Sequence, residues 1–318
     1  MHFLETTDTW CWQQGCRLQY YPSDSNNKII FNKLVNNKYG AVIYDIDELQ
    51  IKKYIDFPLY TVSSLGDIGL SLNFSRLQRL RPGYGYTTLA DYTQNLINPL
   101  NDGVFLIDID ENTSKLLVSL DFLANYKKEV SMEGAEHYVN HLLFSPDNSK
   151  FLLFHVWNKN KKRFSRPFIY TLSNGKIELL DNNSLAVSHY TFKSSKELLL
   201  TIKDKTLGLA YKLYNLEDNS VSVIDNKYLK EDSHPSFVNS ETLLFDSYPN
   251  YYTRIAKLSL VNLKTNNYNL IDTNFHPNKF TGEYRCDLHP RLNQQKGLIC
   301  IDTVKKGKRV MKLIPINK

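Results

Sequence analysis

Short apolar runs separated by polar turns repeat along the whole chain, and the repeat predicts sheet. HLLFSPDNSKFLLFH at 141–155 aligns with RLQYYPSDSNNKIIFN at 17–32. Each reads as a strand, a turn rich in Asp, Asn, Ser and Pro, and a second apolar strand. Those turn residues preset φ or hydrogen-bond their own backbone, so the chain reverses there. The frame recurs as HYTFKSSKELLLTI from 189, HPSFVNSETLLFDS from 234 and HPRLNQQKGLICID from 289, with a weaker copy, YTVSSLGDIGLSLNF, from 60. A third strand ending in a polar turn follows each: AVIYDIDE, VFLIDIDEN, FIYTLSNGK, YKLYNLEDN, LSLVNLKTN and MKLIPINK. Strands this short, repeating every ~50 residues, are the pattern of propeller blades. The expected fold is all-β, a single six-bladed β-propeller over 1–318 with blades starting near 17, 60, 141, 189, 234 and 289. A seven-bladed ring is the alternative.

Two stretches break the repeat. Residues 75–101, SRLQRLRPGYGYTTLADYTQNLINPLN, interrupt the second blade, and loops this long in compact domains usually carry function. Arg76, Arg79 and Arg81 lead into a Pro-Gly turn between Tyr84 and Tyr86, which predicts a binding loop over one face. The residues before 17 are left over while the last unit shows three strands. An N-terminal strand completing the last blade would remove its open edge.

Four of the eight histidines occupy one position of the repeat: His141, His189, His234 and His289 open the first strands of four consecutive blades. First strands line a propeller's channel, so these imidazoles are expected to converge at one mouth. Imidazole is a common ligand for Mn, Fe, Ni and Zn, and its pKa lies near neutrality. All four are candidate metal ligands, with His141 and His189 also candidate bases. Arg17 takes the His position in the first blade and Tyr60 opens the second. Gln14, Asn140, Arg285 and Arg291 fall near the same strand ends. Arginine's planar fork suits carboxylate or phosphate, which points to an anionic ligand. Arg285 and Arg291 are the candidate catalytic cations. Arg17, Arg76, Arg81, Tyr84, Tyr86, Gln14 and Asn140 are the candidate substrate contacts. For Arg285 and Asp287 a plain internal ion pair is an equal alternative.

Composition narrows the class. The 21 Tyr and 16 Phe favour pleated, half-buried surfaces. A formal charge of +6 without a clustered basic face speaks against nucleic acid. No apolar run approaches the ~20 residues of a membrane span. Four cysteines are too few for a disulfide scaffold of this length, and no secretory leader pattern opens the chain, so a reduced, cytoplasmic protein is expected. Neither a GxSxG elbow nor a phosphate-binding glycine loop is present.

The SPD-type turns and His-Pro-x-Phe strands resemble TolB-like β-propellers, and the repeated His is similar to that of the oligogalacturonate lyase group among them. That resemblance implies a cytoplasmic propeller that binds a manganese-type ion through His and Gln and cleaves short uronate oligosaccharides by β-elimination. By register, His141, His189, His234 and His289 would supply ligands and base. The group's pattern has seven blades, against six here. The expected function is thus a metal-assisted carbon–oxygen lyase acting on an acidic oligosaccharide. A non-catalytic propeller binding a glycan or protein partner is the alternative, and a glycosyl hydrolase or transferase ranks third.

Overall fold

The turn residues reverse the chain where the repeat places them, and the outcome is six antiparallel sheets. These are seen in a computed structural model that describes residues 3–293 and 296–316. Their first strands begin at Gln19, Thr61, Glu136, Ser184, Ser236 and Arg291. Five sheets hold four strands and the last holds three among the described residues. The fold is a six-bladed β-propeller, and the seven-bladed alternative falls away.

The chain divides into two compact units, Met1–Asp181 and Asn182–Lys318, with three blades in each. Period-2 alternation puts one set of side chains from each sheet between neighbouring blades. In the first unit Ile30, Ile43, Ile55, Leu59, Ile107 and Ile109 pack the first blade on the second. In the second, Leu199, Tyr211, Leu243, Phe245 and Val261 join the fourth and fifth blades, and Leu244, Leu258, Leu288, Ile299 and Ile301 the fifth and sixth. Each fully buried aliphatic contributes roughly 1.5–3 kcal/mol.

Two short helices were not expected from the repeat. Helix α1 (Phe74–Leu80) starts where the Asn73 side chain accepts from the Arg76 amide, and α2 (Leu120–Asn125) where Ser119 accepts from Phe122. Helix α1 anchors the insert. Gly85 lies so close to it that a Cβ there would stand 2.0 Å from the Phe74 carbonyl oxygen. Gln78 Oε1 accepts from the amides of Gly83 and Gly85. Among the described residues no helix is long and apolar enough to cross a membrane.

The expected N-terminal strand is absent: no strand occurs among residues 3–18. Instead this segment is tied to the first blade. Thr7 donates to the Asn32 carbonyl (2.8 Å), Tyr44 to that of Leu4 (3.0 Å) and Lys33 to that of Thr6 (2.6 Å). At about 1 kcal/mol per hydrogen bond, removing residues 3–9 is expected to lower Tm by a few degrees. A melting curve that does not move would show the segment to be passive.

Candidate functional site

A dense group of ionisable side chains lies in the second unit, on three successive blades. His234 and His289 stand two residues before their first strands. His189, like His141 in the third blade, lies inside its strand (Ser184–Phe192 and Glu136–Phe144) rather than opening it as expected. The rings of His189 and His234 are 4.0 Å apart by centroid, and those of His234 and His289 4.2 Å. The backbone aims them. In the fourth blade the register shifts between Val187 and His189, a bulge of the kind that redirects a neighbouring side chain. His289 adopts left-handed backbone, φ 42°, a strain of about 1 kcal/mol that a non-glycine residue meets only where its surroundings enforce it.

Carboxylates then fix the rings. Asp246 ends the second strand of the fifth blade, is 3% exposed, and accepts from His234 three times: from its amide (2.8 Å) and from Nδ1 at 3.0 and 2.9 Å. Its Oδ2, which already accepts from His234 Nδ1, accepts from the His289 amide as well, at 3.2 Å. Asp232 holds His189 Nδ1 at 3.0 Å and is itself steadied by the Ser188 hydroxyl at 2.7 Å. The Tyr248 hydroxyl stands 3.4 Å from His189 Nε2. Arg285 donates through Nε to both oxygens of Asp287 (2.7 and 2.6 Å) and lies over the Tyr248 ring. The ion pair weighed from the sequence for Arg285 and Asp287 is therefore formed.

The electrostatics alternate along the row. Burial pushes the His189 pKa down, reinforced by the charge of His234 and only partly offset by Asp232. Burial also disfavours charge on His234, but Asp246 outweighs it and leaves this imidazole raised. Burial and the neighbouring His234 take His289 well below its ordinary value.

These residues suit a divalent ion. Ligand atoms of His234, Asp287 and His289 lie within 4.8 Å of one another. Asp246 occupies His234 Nδ1, so Nε2 is the nitrogen left for a metal, the arrangement in which a carboxylate orients a metal-bound imidazole. A carboxylate has about four lone-pair positions, so Asp287 can serve Arg285 and an ion together.

A second polar group sits in the first unit, built on Tyr60. Its hydroxyl receives a hydrogen bond from Gln14 Nε2 (2.8 Å) and meets His141 Nδ1 at 3.2 Å and Asn140 Oδ1 at 3.5 Å. The Arg17 guanidinium lies 3.9 Å from the Tyr60 ring centroid. Arg81 lies 4.0 Å from that of Tyr84, whose ring meets His141 edge-on. Asn140 is 1% exposed, and its Nδ2, like Gln14 Oε1, has no hydrogen-bond partner among the described residues. His141 (φ 55°) and Arg17 (φ 57°) are left-handed, as is His289, so the repeat position that joins them in sequence also joins them in backbone conformation.

Other sequence candidates have structural duties. Arg76 is 1% exposed, and all three guanidinium nitrogens donate to backbone carbonyls, of His137, Thr93, Leu96 and Ile97. It braces the insert and cannot also grip a substrate. Tyr86, 1% exposed, stacks on Phe74 and receives a hydrogen bond from Asn32 through its hydroxyl, so it too belongs to the core. Arg291 forms a two-pronged ion pair with Asp302 (2.9 and 3.0 Å). Outside the repeat register, His137 pairs with His155 in the interior. Sequence position puts Asp232 beside the histidine mouth and Asp246 near a strand end without pairing either with a histidine, and Tyr248 was missed. The signal for Asp246 was its place at the strand end facing a register histidine; nothing in the sequence singles out Tyr248.

No protein-family model and no curated protein matches the sequence. Solved structures do. Oligogalacturonate lyase in complex with manganese matches 99% of this chain and 92% of its own, with a TM-score of 0.53 and 12% identity. The tricorn protease matches 91% of this chain with a TM-score of 0.58 and 11% identity, but only 28% of its own chain takes part. TolB from Acinetobacter baumannii gives a TM-score of 0.45 and 13% identity over 80% of this chain, which spans about half (53%) of that protein. The likeness is one of fold. The chain shares a β-propeller fold with these proteins, and at these identities activity is a separate question.

Proposed function

We propose that the protein is a metal-assisted β-eliminating lyase acting on acidic, uronate-containing oligosaccharides. One observation carries the reading: three imidazoles from consecutive blades, their ring centroids 4.0 and 4.2 Å apart, two of them fixed through Nδ1 by carboxylates. Such fixing leaves Nε2 as the working atom, which a purely structural histidine does not need.

The chemistry asks for a base, a charge stabiliser and an acid. His189, oriented by Asp232, would take the proton from the carbon next to the uronate carboxylate. The electron pair left on that carbon forms the new double bond as the bond to the leaving glycosidic oxygen breaks. Tyr248, beside His189 Nε2, would return a proton to that oxygen. A divalent ion held by His234, His289 and Asp287 would supply positive charge against the uronate carboxylate as its α-proton is lost. Arg285, over Tyr248, adds cationic character at the same edge. The manganese in the lyase neighbour supports that ion by analogy of fold.

Elemental analysis of protein purified without a His tag is expected to find about one equivalent of Mn, Zn, Fe or Ni per chain, lost in a His234→Ala, His289→Ala double variant. Incubation with acidic oligosaccharides is expected to give unsaturated products that absorb in the near ultraviolet. Metal-free protein that binds glycans without turnover would replace the lyase with a binding propeller.

A further inference from the structure

Beside the histidine row, the second unit exposes aromatic side chains that its core does not use. Tyr251 and Tyr252 are 81% and 87% exposed, and Phe275 and Tyr284 are 59% and 49% exposed. All four lie at one end of the fifth blade. Asp246 closes its second strand there, and the loop 247–254 leads into the third strand, Ile255–Asn262. Ile255 pairs with Phe275 at the end of the fourth strand (Tyr268–Phe275). The connection that follows carries Tyr284 and runs on to His289. His234 faces Asp246 at that same end. The aromatic residues and the histidine row therefore share one rim.

The loop tip is held firmly. Asn250 Oδ1 accepts from the amides of Tyr252 and Thr253, both at 3.0 Å. The Asn250 amide donates to Ile255 O, and the Arg254 amide to Asn250 O. Arg254 and His276 exchange further hydrogen bonds that pin the loop to the fourth strand. Tyr248, in contact with His189 and His234, belongs to the same loop. Three residues of chain span at most about 11 Å, so Tyr251 stays within a short oligosaccharide's length of the histidines. The rim's charge also suits a polyanion. Arg254 and Lys257 lie at this end of the blade, and the loop 247–254 contains no Asp or Glu. Amphipathic rings standing in water present flat faces to the C–H side of a pyranose, with their hydroxyls at its edge.

We infer that Tyr251 and Tyr252 form a distal subsite on which a pyranose of an acidic oligosaccharide stacks while another unit of that chain lies at the histidine row. The protein would therefore select for chain length. This rests on the function proposed above and adds to it a substrate longer than the catalytic unit alone.

The test is calorimetric binding of oligogalacturonates and oligoalginates, dimer to hexamer, to the metal-loaded protein and to a Tyr251→Ala, Tyr252→Ala variant. Both side chains are exposed, so the variant is expected to melt like the wild type and keep its metal. Affinity for hexamers is expected to fall at least tenfold and that for dimers to hold. Equal loss at every length, or no loss, overturns the distal subsite and leaves the lyase reading standing. If no acidic oligomer binds the wild type, the lyase reading fails and the subsite with it.

Discussion

Between pH 7 and pH 4 the protein is expected to lose about 3 kcal/mol of stability through a single buried histidine, His137, in the first unit. His137 is 2% exposed and His155 is fully buried, with His137 Nδ1 2.8 Å from His155 Nε2. Arg166 Nε donates to His155 Nδ1 at 3.2 Å. That donation makes His155 Nε2 the protonated nitrogen and His137 Nδ1 its acceptor, a chain closed only when both rings are neutral. The groups facing the pair are cationic: Arg166, Arg76 and Lys128. Burial, with those charges, pushes His137 down to about 4, and burial with its His137 neighbour holds His155 well below its ordinary value. A folded pKa below the unfolded one means that the unfolded chain binds the extra proton first. Stability is therefore fully present above pH ~6.5 and declines as pH falls towards 4. Melting temperatures at pH 7 and 4.5, compared with those of a His137→Gln, His155→Gln variant, measure this share. Buried His276 and half-buried His289 add their own acid sensitivity to both proteins. A wild type whose melting temperature falls no further than the variant's would exclude the pair as the cause.

The second large effect concerns Asp246, which touches the site through two histidines at once. Asp246→Asn keeps the volume and can still accept from one amide. It removes the charge that offsets His234, and its amide nitrogen faces a backbone N–H it cannot satisfy. Loss of an orienting carboxylate behind a metal-bound imidazole typically costs 10–100-fold in affinity or activity, and that drop is expected here in both metal retention and turnover. Asp246→Ala is expected to be worse, because two backbone amides and a buried imidazole lose their acceptor together, about 3–5 kcal/mol of stability. Metal titration with turnover assays on Asp246→Asn separates the outcomes: wild-type affinity and rate would show that Asp246 serves the fold alone.

Much of the fold was legible because turn chemistry and period-2 alternation are local. The first strands begin at Gln19, Thr61, Glu136, Ser184, Ser236 and Arg291, against 17, 60, 141, 189, 234 and 289 read from the repeat, and α1 lies between the second and third strands of the second blade. The helices escaped notice because one or two turns leave too short a periodic trace, although Asn73 and Ser119 stood at their caps. The missing N-terminal strand shows the limit of topological reasoning: an open edge can be inferred from a strand count, but what lies over it cannot. In the site, register found the histidines because a repeat converts sequence spacing into spatial equivalence. It could not pair them with their carboxylates, Asp246 on the second strand and Asp232 in a connection between blades, because both lie outside the repeated position. Arg76 and Tyr86 misled because cationic and aromatic residues in a long loop look alike whether they face ligand or core. Only packing distinguishes them, and here Gly85 and α1 drew the loop inward.

The left-handed backbone at Arg17, His141 and His289 places two opposed demands on the same three positions. Glycine would suit the main chain best, and any relaxation of the repeat towards its easiest geometry would lead there. A large polar side chain at each means that the main chain yields to what the side chain must reach. These positions record, in dihedral angles, which demand prevailed.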